Sequence, residues 1–104
     1  MIFLETSVFT RRIQLCMDDS SYAEFQDFLV QNPEAGSVIP GSGGIRKIRW
    51  AGSGRGKRGG TRILYYLWTN DRILMIFAYL KNETENITPS QLRQLRRMVE
   101  ENLK

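Results

Sequence analysis

The sequence contains no histidine. That removes the side chain used most often as a general base near neutral pH, and the commonest metal ligand. Cysteine is almost as scarce. Cys16 stands alone, so no intramolecular disulfide can form, and with no histidine beside it a zinc site is not expected. Cys16 itself reads as a small buried hydrophobe. No apolar run reaches the ~20 residues needed to span a bilayer. No N-terminal stretch joins a basic region to an apolar segment and a small-residue cleavage site. These absences point to a cytoplasmic protein without metal or cofactor. Any catalysis must then use lysine, arginine, tyrosine or carboxylates.

What is present is charge, and it is unevenly spread. Residues 1–44 hold two basic groups, Arg11 and Arg12, against six acidic ones. Residues 45–81 hold nine basic groups with only Asp71 against them. Residues 82–104 balance at four of each, and the whole chain carries +4. A central basic block of this density suggests a polyanion partner.

At 104 residues the chain has the length of one domain, read as residues 1–104. Ile2–Glu5 reads as a short strand. Thr6 or Ser7 is placed to cap a helix running to about Met17, with Phe9, Ile13 and Cys16 or Met17 on one face. Ser21-Tyr22-Ala23-Glu24 fits a capping box for a second helix. Asn32-Pro33 ends it. After a glycine-rich connection, Ile45–Ala51, Thr61–Trp68 and Arg72–Leu80 read as strands. The last two are apolar on both faces, as in the centre of a sheet. Thr88-Pro89-Ser90-Gln91 combines an N-cap, a proline at the first helical position and a capping glutamine. The order is therefore β-α-α-β-β-β-α. It implies an α+β fold, with helices on one face of an antiparallel-dominated sheet of about four strands and the other face free to bind.

The basic residues fall into two groups. Gly54-Arg55-Gly56-Lys57-Arg58-Gly59 matches a dinucleotide fingerprint by letter, but a strand follows it where that motif needs a helix. It reads better as a loop whose glycines let backbone approach phosphate while Arg55, Lys57 and Arg58 supply charge. Before it lies Arg46-Lys47-Ile48-Arg49. Alternation puts Ile48 and Trp50 on one face, and Lys47 and Arg49 on the other. Arg62 opens the next strand and Lys81 ends the one after. If these strands are neighbours, Lys47, Arg49, Arg62 and Lys81 converge on one patch.

Such a patch suits RNA cleavage by the 2′-hydroxyl. A lysine packed among cations has its pKa lowered and can act as a base. Arginine stays charged and grips phosphate oxygens bidentately. No acid for the leaving oxygen is obvious. Tyr65, Tyr66 and Tyr79 are candidates, although strand tyrosines are more often core residues. Arg93, Arg96 and Arg97 read as a solvated helix face.

Three segments carry a family resemblance. They are Gly44-Ile45-Arg46-Lys47-Ile48-Arg49, Gly56-Lys57-Arg58-Gly59-Gly60-Thr61-Arg62-Ile63-Leu64-Tyr65-Tyr66, and Tyr79-Leu80-Lys81-Asn82-Glu83. Together they resemble the HigB branch of the RelE/ParE toxin superfamily. The resemblance implies a RelE-like fold and the toxin of a type II toxin–antitoxin system. It implies a metal-independent endoribonuclease that cleaves translated mRNA in the ribosomal A site. It also implies a cognate antitoxin, often with a helix-turn-helix domain. By position, Arg62 resembles the family's phosphate-gripping arginine and Lys81 the basic residue ending its last strand; with Lys57 of the basic segment they are the expected catalytic residues. Lys47 and Arg49 resemble the family's paired basic residues, and with Arg46, Arg55 and Arg58 of the basic segments they are the expected nucleic-acid contacts. Better-known members carry an arginine after the last lysine and a tyrosine about two turns of chain later. Here Asn82 and, roughly, Thr88 stand there, so the acid is left open. Two other functions fit the same residues less well: a ParE-like inhibitor of DNA gyrase, and a non-catalytic nucleic-acid-binding module.

Overall fold

The computed structural model describes residues 1–51, 60–81, 83 and 86–103. Within them the chain forms β1 (Ile2–Glu5), α1 (Ser7–Cys16), α2 (Asp19–Gln31), β2 (Ser37–Val38), β3 (Arg46–Trp50), β4 (Thr61–Thr69), β5 (Arg72–Leu80) and α3 (Pro89–Asn102). The five strands make one sheet in the order β1-β5-β4-β3-β2. β1 runs parallel to β5, and every other pair is antiparallel.

The helices start where side chains satisfy their free N–H groups. Thr6 caps α1, accepting from the Phe9 N–H at 3.0 Å. Its hydroxyl also donates to the Ile76 carbonyl at 2.8 Å, which ties the helix start to the middle of the sheet. Asp18 caps α2 by accepting from the Ser21 N–H. The second helix thus begins three residues before a Ser21 cap would start it, because an aspartate already stands ready at the turn. α3 has the full reciprocal box between Thr88 and Gln91, with Pro89 in its first turn.

The core has two halves, one on each side of the sheet. Phe9, Ile13 and Cys16 of α1 and Phe25 and Leu29 of α2 pack with Ile63, Tyr65, Ile73 and Met75. Leu95 and Val99 of α3 pack with Ile45, Leu64, Leu74, Ile76 and Tyr79. Each side chain of this size taken fully out of water contributes roughly 1.5–3 kcal/mol. Alternating residues of β4 serve opposite sides: Ile63 and Tyr65 one, Leu64 the other.

This corrects the expected architecture in two details. The sheet has five strands, because Ser37 and Val38 add a two-residue edge pairing with Lys47 and Arg46. The helices do not share a face: α3 lies opposite α1 and α2. The reason is visible in β4 and β5, whose apolar residues on both sides each need cover. A bulge adds to this, since Leu64 pairs with Phe77 and Tyr65 with Met75, leaving Ile76 as the extra residue. Ile76 and Phe77 then both serve the α3 side.

β1 covers only Arg72–Met75 of β5. The rest of that outer edge is closed by side chains. Thr6 takes the Ile76 carbonyl, Arg12 Nε takes the Ala78 carbonyl at 3.0 Å, and Glu83 accepts from the Leu80 N–H at 2.8 Å. Arg12 and Glu83 are themselves an ion pair. An edge finished in this way offers little backbone to another chain. No helix among the described residues is long and apolar enough to cross a membrane.

Candidate nucleic-acid interface

The α3 side of the sheet is only partly covered. Leu64, Leu74 and Ile76 are buried there, but the residues toward the end of β3 and the start of β4 are not. Arg49 is exposed, and Lys47 and Arg62 are half-buried.

The pairing register brings these residues together. Arg49 faces Arg62 across the β3–β4 ladder, and Lys47 faces Leu64. Arg62 in turn faces Tyr79 across the β4–β5 ladder. Directly opposed residues have Cβ atoms about 4.5–5.5 Å apart. Arg49, Arg62 and Tyr79 therefore form one row across three strands, with Lys47 alongside. Lys81 follows immediately on Leu80, the partner of Thr61 that ends β5. It is exposed. The expected convergence of Lys47, Arg49 and Arg62 on one face is what the register gives, and Lys81 stands at the same end of the sheet.

Arg46 does not join them. It faces Tyr65 across the ladder, on the α1/α2 side. Its guanidinium donates to the Glu34 carbonyl at 3.2 Å and the Gly36 carbonyl at 2.7 Å. It thereby holds the connection between α2 and β2. Arg55, Lys57 and Arg58 lie outside the described residues. Their segment joins Ala51 to Gly60, next to the Trp50–Thr61 pair that ends the β3–β4 ladder. Of the C-terminal arginines, Arg96 reaches the Gly41 carbonyl at 3.3 Å.

The three candidate tyrosines have different surroundings. Tyr65 is fully buried, and its hydroxyl accepts from the Gly36 N–H at 2.8 Å and donates to the Pro33 carbonyl at 2.9 Å. Tyr66 packs beside the α3 cluster against Gly44. Tyr79 is 1% exposed, and among the described residues its buried hydroxyl has no hydrogen-bond partner. Burial pushes the Tyr79 phenol up, and the nearby positive charge of Arg62 offsets part of the rise. Sequence reasoning named Tyr79 only as one of three. The signal that separates it is its register position opposite Arg62, which needs the strand pairing.

What the arrangement offers is an open cationic surface. Concavities of about 300 and 670 Å³ are lined by other residues, around Trp50 and Thr61 and around Pro33 and Trp68. A backbone of phosphates needs a row of charges it can lie along, with arginines to fork its oxygens.

The sequence itself matches a family model over residues 30–104, described as the RelE toxin of the RelE/RelB toxin–antitoxin system. The matched stretch runs from the end of α2 through α3 and includes every residue of the cationic row. With the match covering most of its length, the chain belongs to the RelE toxin family and is the toxin of a toxin–antitoxin system.

Proposed function

We propose that this toxin is a ribosome-dependent endonuclease that cuts translated mRNA in the A site, as the HigB branch does. The observation that carries the reading is the row of Lys47, Arg49 and Arg62 on a sheet face that α3 leaves open, with Lys81 at its end. Lys47 and Arg49 hold the RNA backbone, and Arg55 and Arg58 add charge from the sequence between β3 and β4. Arg62 grips the scissile phosphate and offsets the negative charge that builds on it. Removing a donor in such a role costs about 10²–10³ in rate. An amine of Lys57 or Lys81 takes the proton of the 2′-hydroxyl, whose oxygen attacks phosphorus. The products are a 2′,3′-cyclic phosphate and a 5′-hydroxyl. No metal or other cofactor enters this scheme. The toxin acts in the cytoplasm, and its antitoxin carries a helix-turn-helix DNA-binding domain.

The test is to map mRNA ends in a purified translation reaction with the protein added, beside the same mRNA without ribosomes. New ends that appear only on translated message support the reading. Replacing Lys57, Arg62 and Lys81 singly by alanine should slow their appearance. Intact message sinks it. DNA damage with intact mRNA would turn the reading to gyrase. Salt-sensitive RNA binding with neither effect would leave a plain binding module.

A further inference from the structure

Resting on the endonuclease reading, we propose that Tyr79 is a further catalytic residue whose hydroxyl gives its proton to the leaving 5′-oxygen. The reaction needs such an acid, and lysine and arginine already have the other roles. Three tyrosines lie in β4 and β5, and their surroundings decide between them. The Tyr65 hydroxyl is engaged at both its donor and acceptor sides, on the α1/α2 face of the sheet. Tyr66 pairs with Leu74, four residues along β4 from Arg62. Tyr79 is the direct cross-strand partner of Arg62 and precedes Lys81 by two residues.

The Tyr79 hydroxyl is also chemically unfinished. Buried tyrosine hydroxyls usually find a partner. This one has none among the described residues, although the residue is 1% exposed. A donor left in that state costs free energy that phenylalanine at the same place would not. Its position beside the cations gives it a partner when a phosphodiester arrives. Arg62, half-buried on the neighbouring strand, is the direct ladder partner of Tyr79, and its positive charge acts on the phenol. A phenol is protonated at neutral pH, and burial pushes this one further in that direction. The departing 5′-alkoxide is a far stronger base than a phenolate, so the transfer runs downhill.

The step balances. The 2′-oxygen forms its bond to phosphorus as the bond from phosphorus to the 5′-oxygen breaks. The 2′-proton goes to the lysine amine, and the Tyr79 proton goes to the 5′-oxygen. Exchange with water then returns the ammonium and phenolate to their starting states.

The experiment compares wild type with Tyr79→Phe on programmed ribosomes, using mRNA with either oxygen or sulfur at the scissile 5′ position. A thiolate leaves without being protonated, so it bypasses a missing acid. Denaturation of the same two proteins is measured in parallel. The expected result is a rate on ordinary mRNA reduced by about 10²-fold or more. On the sulfur substrate the variant should match wild type, and its stability should be equal or higher. Equal rates on ordinary mRNA overturn the role of Tyr79 alone. So does a loss of the same size on both substrates, or a clear loss of stability, which would mark a hydroxyl satisfied by water in a structural role. A wild type that cuts neither message overturns the endonuclease reading and the acid with it.

Discussion

Arg49 and Arg62 are direct partners across the β3–β4 ladder. Like charges in that relation destabilise a sheet, and the cost falls as salt screens them. We expect Arg49→Thr to stabilise the fold by roughly 0.2–1 kcal/mol. The gain should shrink between low and high salt, while mRNA cleavage weakens. Urea denaturation at two salt concentrations, set beside the cleavage rate, checks both signs. A variant that is less stable and equally active would show that the pair serves the sheet and not a ligand.

Tyr65 and Tyr79 should respond oppositely to loss of their hydroxyls. Tyr65→Phe removes the acceptor for the Gly36 N–H and the donor to the Pro33 carbonyl. We expect it to cost roughly 1–3 kcal/mol, since a buried N–H is left unmatched. Cleavage by the protein that stays folded should be unchanged, because these bonds lie on the side of the sheet away from the cationic row. Chemical denaturation and initial rates well below the melting temperature separate the two effects.

Gly60 closes the segment before β4 with a φ of +64°. A Cβ there would lie 2.6 Å from the Trp50 carbonyl oxygen, a backbone atom that cannot step aside. Gly60→Ala combines that clash with a left-handed conformation, which alone costs about 1–2 kcal/mol. We expect a loss of at least that size, together with slower cleavage, because Thr61 and Arg62 follow directly. Full stability in the alanine variant would contradict the register at the Trp50–Thr61 pair.

Glu83 supplies a pH signature. The Leu80 N–H, and then Arg12, hold its carboxyl below the ordinary value of 4.5. The folded form therefore releases this proton more readily than the unfolded one. Its stabilisation is present above pH 4.5 and is lost as pH falls through the lower folded value. Glu83→Gln keeps an acceptor but not the charge. Its stability deficit against wild type should be steady near neutral pH and close on acidification, as followed by denaturation across a pH series. A deficit that persists at low pH would mean that the charge is not what ties Glu83 to the β5 edge.

Much of this was legible in the residues, and what was not has a common cause. The Thr88 box, the stripe of Phe9, Ile13 and Cys16, and the alternation in Arg46–Trp50 are local patterns, so the sequence alone showed them. β2 is two residues long, too short for any period to register. The parallel pairing of β1 with β5 is a choice of distant partner that no local pattern states. The position of α3 was readable in principle: apolar residues on both sides of β4 and β5 already required cover on both. Arg46 looked like Lys47 and Arg49 because all three share a basic segment. Its neighbours across the strand, and the carbonyls of Glu34 and Gly36, give it a different task. The same limit hid Tyr79, whose distinction lies in what it faces and what it lacks.

The parallel ladder ties residues 2–5 to residues 72–75, and this sets an order of events in time. Such long-range closure is slow to form and cannot precede its second strand. While the chain is being made, α1 and α2 emerge early, with Phe9, Ile13, Phe25 and Leu29 having no sheet to cover. The cationic row comes later still, since it needs β3, β4 and β5 side by side. In a chain still being translated, the apolar face of α1 and α2 is thus left without its sheet before the charged row exists.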